Sequence, residues 1–466
     1  MKLNNEILAE ITGGKTVGNF TVKSYAIHST KVKAGDLFIA LTGEKQDAHK
    51  FLPDAIANKA GALLINKSYY EEHNISFPNL LIVENTLNAL LKIATYIRQQ
   101  NKGIVIGITG SIGKTTLKDM LAFLLQPCGQ VVATLGNYNN QIGLPFSLLQ
   151  MEANDDFGVF EMGMSSIGEI AVLSKVLQPN IGIIIDIAKA HSEFFTSLDD
   201  IAIAKLEIIT AMPKNATLCI NLDNSYYQKH YDIASKKLKH VYSFSTNNKL
   251  ADIYMKKVIV QNINGVYLLQ ISASIFQEEV AYTLPSIALH HGFLATIALG
   301  MAYLLKQDIQ KLAQTFKNFQ LPKGRGNISQ EVINGKKIML INDSYNANPK
   351  SMLASLESLL AIPTSSKILV LGDMLELGAE AQQEHEDLQE IIQKIKPKAV
   401  ILLGIQMLNL YNILPDSMVI YHFLHWQEAE LKLQSLVQNN DVILIKGSLG
   451  ANTYKIAENI TTNTKH

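Results

Sequence analysis

GITGSIGKTTLKDMLAFLL (107–125) is the stretch around which the rest of the chain can be organised. Apolar and small residues run into a strand end, and Gly110, Ser111, Gly113, Lys114, Thr115 and Thr116 then lead into an amphipathic helix. A strand, a glycine loop and a helix in that order cradle polyphosphate. Backbone N–H groups point inward, the helix N-terminus adds positive potential, and the lysine meets the β and γ phosphates. Thr115 is placed to ligate Mg²⁺. The spacing departs from G-x-x-x-x-G-K-[ST], because position 108 is Ile and the loop reads G-x-x-G-K-T. An ordinary glycine turn with a surface lysine is the competing reading, and the flanking strand and helix argue against it.

Two further strand ends fall on the same presumed edge. FGVFEMG (157–163) delivers Glu161, and IGIIIDIAKAHSE delivers His191 with Glu193 beside it. Ligands of open parallel sheets bind outside the carboxyl ends of the strands, so Glu161 and His191 are expected to converge on the metal and γ-phosphate of a bound nucleotide. SLDDIAIAKLEII (197–209) reads as a helix with Asp199 and Asp200 favouring its dipole. Lys205 on its apolar face reads, taken alone, as a snorkelling lysine.

Outward from this centre, apolar runs alternate with amphipathic segments, the mark of an α/β chain. Its 466 residues suggest about three domains. The expected division is an N-terminal domain of residues 1–101, a central P-loop domain of mostly parallel sheet (102–322) and a C-terminal Rossmann-like domain (323–466). KIMLIND, KILVLGDM, AVILLG, MVIYHF and DVILIKGS supply the strands of the last, and PKGRGNIS (322–329) reads as a hinge. The 41 basic and 41 acidic side chains balance, and only 18% of residues are charged. No basic cluster suits a long polyanion, so nucleic acid is not an expected partner. Two cysteines are too few for a disulfide framework or a tetrahedral zinc site, and Glu6 and Glu10 interrupt any signal-peptide core. Both features point to a cytoplasmic protein. Residues 280–305 lack Asp, Glu, Lys and Arg, which meets the length criterion for a membrane span, yet Pro285, His290 and His291 lie inside. A buried helix in a soluble core is the expectation there, with no stable membrane insertion.

GITGSIGKTT, GNYNNQIGLP (136–145), FEMG, AHSEFFTSLDDIAIAK (190–205), GRG with Arg325 and NDSYNANPKSM (342–352) occur in the order found in the Mur ligases, which the chain resembles over nearly its whole length. Those enzymes form amide bonds at the expense of ATP in peptidoglycan precursor synthesis. SYNANP followed by GDMLELG (372–378), Glu384-His385 and a terminal VILIKGS is similar to the D-alanyl-D-alanine-adding branch. The resemblance implies that Lys114 binds phosphate and that Thr115 and Glu161 hold one Mg²⁺. It implies that His191 and Lys205, as a carbamate formed with CO₂, hold a second. Arg325 would reach the phosphates on closure of the C-terminal domain, and Asp343 and Asn346 would contact the nucleoside. Asn139 and Asn140 would meet the muramyl substrate. Ser29 and Thr30 stand in the segment that meets the uridine end, although His28 and Thr30 replace its usual acidic and arginine positions. His291 replaces an adenine-contacting asparagine, Asp186 and Ala188 replace an asparagine and a glycine, and Leu449 stands where an arginine is usual. The substrates implied are a UDP-N-acetylmuramoyl-tripeptide and D-alanyl-D-alanine, handled by a monomer. Another Mur-type or folylpolyglutamate-type ligase, or a non-catalytic nucleotide-binding relative, are the alternatives.

Overall fold

The computed structural model describes all residues except 44–45, 189–194, 196, 264–265, 365 and 464–466, and not the side chain of 463. Among the described residues, the strand Ile104–Thr109 lies inside a nine-stranded sheet, between Phe157–Glu161 and Ile181–Ile184 and parallel to both. The chain leaves Ile104–Thr109 and returns on either side of it, so this strand is the topological switch point where a crevice opens at the carboxyl edge. In register, Glu161 lies beside Ile108 and Ile184 beside Thr109. The strand ends that carry polar residues therefore finish level with the glycine loop.

Beyond Ile181–Ile184 the sheet continues through Thr217–Asn221 and His240–Ser245, and then changes character. Ile253–Ile263, Val266–Ile275 and Glu278–Leu284 form an antiparallel meander. This corrects the expectation for residues 280–305. The apolar stretch is split into the end of a strand and a helix, Leu289–Leu304, with Pro285 and Ser286 in the turn between them. That helix packs against the loop's own helix, Lys114–Leu125, in one apolar core. No helix is long and apolar enough to cross a membrane among the described residues.

Ser24–Ala26, Asp36–Ile39, Ala62–Asn66 and Leu80–Val83 form a parallel sheet with Lys15–Val17 antiparallel at its edge. The helix Thr86–Gln100 then packs on the central helices Gly143–Leu148 and Glu169–Leu177, so one apolar cluster runs across both regions. Arg98 fastens this junction. Its guanidinium donates to the carbonyls of Leu177 (2.9 Å), Gln178 (3.2 Å) and Asn101 (3.2 Å) and to Asn180 Oδ1 (2.9 Å), which satisfies a buried cation with fixed acceptors.

The last sheet has six strands in the order Asn327–Ile333, Lys336–Asp343, Val442–Lys446, Lys367–Gly372, Ala399–Leu403, Ile420–Phe423, parallel except for the first. The expected hinge segment thus runs straight into an edge strand. Asp343 lies in register beside Lys446, which makes their ion pair at 2.7 Å a product of the parallel pairing itself.

Candidate active site

The carboxyl edges of the nine- and six-stranded sheets face each other across a cleft of about 640 Å³. The glycine loop forms its floor. Gly113 has φ +84, in the left-handed region that a side chain would strain, and it turns the chain into the helix Lys114–Leu125. Ser111 ties the loop to the neighbouring strand end, its hydroxyl donating to Ala188 O (2.7 Å) and its N–H to Asp186 O (3.1 Å). Lys114 folds back to donate to Gly110 O at 2.6 Å. Burial lowers the Lys114 pKa, with Glu161 opposing the shift and Arg325 adding to it. A cation held in that state is stabilised by whatever negative charge enters the loop.

Glu161 is fully buried and receives Asn139 Nδ2 on Oε2 at 3.3 Å, while Oε1 has no hydrogen-bond partner among the described residues. Its own N–H is fixed by Thr134 Oγ1 at 2.8 Å. An orphaned carboxylate oxygen beside a P-loop threonine suits a hard cation with oxygen ligands. Lys205, on the helix Leu198–Leu206, is 3% exposed and lines the same cleft, which overrides the snorkelling reading. Its pKa lies well below the ordinary lysine value because of burial first and repulsion by Lys114 second, with Asp186 pulling the other way.

Across the cleft Arg325 Nη2 reaches Thr115 Oγ1 at 3.3 Å, and Lys350 Nζ reaches Asp186 Oδ2 at 2.7 Å. Asp186 also accepts from Asn224 at 3.0 Å. Lys350 opens the helix Pro349–Leu360, which Asn348 caps through a reciprocal bond with Ser351. Asp343 is held by Lys446 and Ser355, and Lys446 also donates to Asn346 O at 3.1 Å.

Ser111, Gly113, Lys114, Thr115, Thr116, Glu161, Lys205 and Arg325 are thus brought together, with Asn139, Asn140, His291, Asp343 and Asn346 also on the cleft wall. His191 lies outside the described residues. Ser29 and Thr30 do not reach the cleft. They sit in the short turn Ser29–Lys31, with Ser29 buried and Thr30 exposed, while the neighbouring His28 meets Tyr138 of the asparagine loop at 3.3 Å. Asn140 spends its side-chain oxygen on the N–H groups of Ile142 and Gly143, at 3.1 and 2.8 Å. His291 is 3% exposed with Nδ1 on Ser286 at 2.7 Å, whereas His290 Nδ1 has no partner among the described residues and burial pushes the ring down to about 4. Sequence reasoning missed Tyr345, Lys350 and Lys446, although all three lie within or beside the quoted SYNANPKS and IKGS segments.

His385 serves structure. Its ring donates from Nδ1 to Ala381 O (2.6 Å), so Nε2 accepts the N–H of Met374 (3.0 Å), fixing the GDMLELG turn against the cleft. His230 likewise braces the helix of Lys205 through the Ala202 backbone, and burial lowers it from 6.5 to about 4. A folded-state value below the unfolded one means that this stability is whole above pH 6.5 and is lost as pH falls through about 4. The loss at pH 4 is about 3 kcal/mol. His230→Gln should flatten that slope in urea midpoints measured from pH 7 to 4.5; an unchanged slope refutes the assignment.

The chain matches the description "Mur ligase middle domain" over residues 108–299 and "Mur ligase, glutamate ligase domain" over residues 324–449. It is 35% identical to the UDP-N-acetylmuramoyl-tripeptide–D-alanyl-D-alanine ligase of Rickettsia prowazekii, across 98% of this chain and 99% of that protein. It is 32% identical to the ligase of that name from Escherichia coli, across 98% of each. Among solved structures it resembles MurF from Acinetobacter baumannii with TM-score 0.87 at 26% identity, covering 99% of both chains. It also resembles MurF ligase from Thermotoga maritima in complex with ADP, with TM-score 0.81 at 25% identity, covering 95% of this chain and 98% of that one.

Proposed function

The chain belongs to the Mur ligase family, and from that premise we propose how its own residues carry the family's reaction. It is an ATP-dependent ligase that joins D-alanyl-D-alanine to a UDP-N-acetylmuramoyl-tripeptide in peptidoglycan precursor synthesis, forming ADP and phosphate. The γ-phosphoryl group passes to the terminal carboxylate of the tripeptide to give an acyl phosphate. The dipeptide amine then attacks the acyl carbon, loses a proton, and phosphate departs from the tetrahedral intermediate.

The carrying observation is the convergence of Lys114, the orphaned oxygen of Glu161, buried Lys205 and the cross-cleft Arg325 at one switch point. Lys114 and the N–H groups of the loop bind the phosphates, and Arg325 adds positive charge from the opposite wall as the cleft closes. Each such contact is worth roughly 10²-fold or more when the transferring group is anionic. Closure also excludes water from the acyl phosphate. Thr115 and the free oxygen of Glu161 fit Mg²⁺ and would hold one ion; by the family resemblance His191 and Lys205 would hold a second. When bound, the metal neutralises the phosphate oxygens.

For Lys205 that role requires a carbamate. Two positively charged lysines that repel each other in one buried site make poor metal ligands. The depressed pKa favours the neutral amine, whose lone pair attacks CO₂; an N–C bond forms, a proton leaves, and the side chain becomes an anionic oxygen ligand. Asn139, held on Glu161, faces the tripeptide end of the substrate. Ser29 and Thr30 lie toward its uridine end, a division supported by the His28–Tyr138 contact. A cytoplasmic location suits the nucleotide substrates.

Phosphate release should require ATP, the UDP-muramyl tripeptide and D-alanyl-D-alanine together. Turnover that proceeds equally with another amino acid, or no turnover with all three, would overturn this reading.

A further inference from the structure

We propose that Tyr345 is a positioning residue that presents Arg325 to the glycine loop. The inference rests on the role of Arg325 given above and extends it to the residue whose ring lies under that guanidinium. The guanidinium carbon of Arg325 lies 4.2 Å over the centroid of the Tyr345 ring, while Nη2 of the same group reaches Thr115 Oγ1 at 3.3 Å. A free arginine side chain spreads over many rotamers, and holding one of them costs conformational entropy. The ring offsets that cost by fixing the plane of the guanidinium and favouring its charge.

Backbone contacts make the pair a single element. Tyr345 N–H donates to Gly324 O at 3.0 Å, and Gly326 N–H donates to Asn342 O at 2.8 Å, so the GRG turn and the SYNANP turn are bonded to each other on both sides of Arg325. Gly324 has φ +75, and a Cβ there would lie 3.1 Å from the Tyr345 backbone and Cβ. The tyrosine thus occupies the space that glycine leaves open. Both residues are bonded to the turns of the six-stranded sheet's wall, whereas Thr115 belongs to the other wall. Arg325 is therefore oriented from its own wall, and reaching the loop needs no search by a flexible side chain.

The test uses the full-length enzyme with saturating substrates. Tyr345→Leu should lower kcat about ten-fold, the scale of a desolvated cation–π contact, with KM for ATP unchanged within about two-fold; Tyr345→Phe, which keeps the ring, should restore kcat. In Arg325→Ala the ring has nothing to hold, so the double variant should be no slower than Arg325→Ala alone. Melting temperatures serve as the folding control, and Tyr345→Gln replaces the leucine variant if that one fails to fold. A normal kcat in Tyr345→Leu, a raised KM for ATP with kcat intact, or additive losses in the double variant would each overturn the proposal while Arg325→Ala stays slow. A wild-type rate in Arg325→Ala itself would overturn the reading of the site, and this inference with it.

Discussion

Lys114→Ala is expected to lower kcat by roughly 10³-fold while the protein melts at or slightly above the wild-type temperature. The rate loss follows from geometry. Lys114 begins the helix Lys114–Leu125 at the bottom of the cleft, whereas Arg325 approaches from the opposite wall through Thr115. The stability effect has the opposite sign from that of a typical buried truncation. Burial lowers the Lys114 pKa, so the folded chain carries its charge at a cost, and the ammonium's hydrogen bond is to Gly110 O. Removing the charge relieves that cost. Single-turnover phosphate release together with a melting curve tests both halves; a near-normal rate would sink the loop assignment, and a collapsed melting temperature would mean that the lysine is structural.

The second large effect concerns Lys205. Lys205→Ala should lose roughly 10² to 10³-fold in kcat, and formate or acetate should restore part of it by placing a carboxylate where the proposed carbamate would stand. Removing CO₂ from the buffer should slow the wild type and leave the variant unaffected. A plain cationic role makes contrary predictions: Lys205→Arg would keep activity and added carboxylates would inhibit. No rescue at any carboxylate concentration would sink the carbamate.

The parts of the site that were legible in the sequence are those written in consecutive residues. Gly110 to Thr116 and Glu161 could be placed because strand, loop and helix are local patterns, and parallel pairing brings strand ends to one edge. The antiparallel meander was not legible. The charge-free run continues from Val280 through the strand into the helix that follows, and the pairing of Glu278–Leu284 with Val266–Ile275 is what makes its first part a strand. Lys205 shows the same limit. Its spacing suited a snorkelling side chain, and the helix face it occupies became interior because a second sheet stands opposite. The partners Lys350–Asp186 and Lys446–Asp343 are 164 and 103 residues apart, so neither pair has a signature in any window of sequence. His291 carried the resemblance's recognition role by position, and the sequence did not show that Ser286 would bond its Nδ1 or that His290 would share the cleft wall with it.

Arg98 bears on how such a chain can be assembled from parts. A break near residue 102 looks natural to a reader of linkers, but the helix Thr86–Gln100 shares its apolar cluster with the central helices, and Arg98 fills acceptors on Leu177, Gln178 and Asn180. Excising the first hundred residues would bare that face and leave Asn180 without one of the donors at the base of a core strand. Modularity of binding and modularity of folding therefore part company here. The segment proposed above to meet the uridine end can depart from the family pattern residue by residue, as at His28 and Thr30, but it cannot be exchanged wholesale without a matching change at the seam that Arg98 closes.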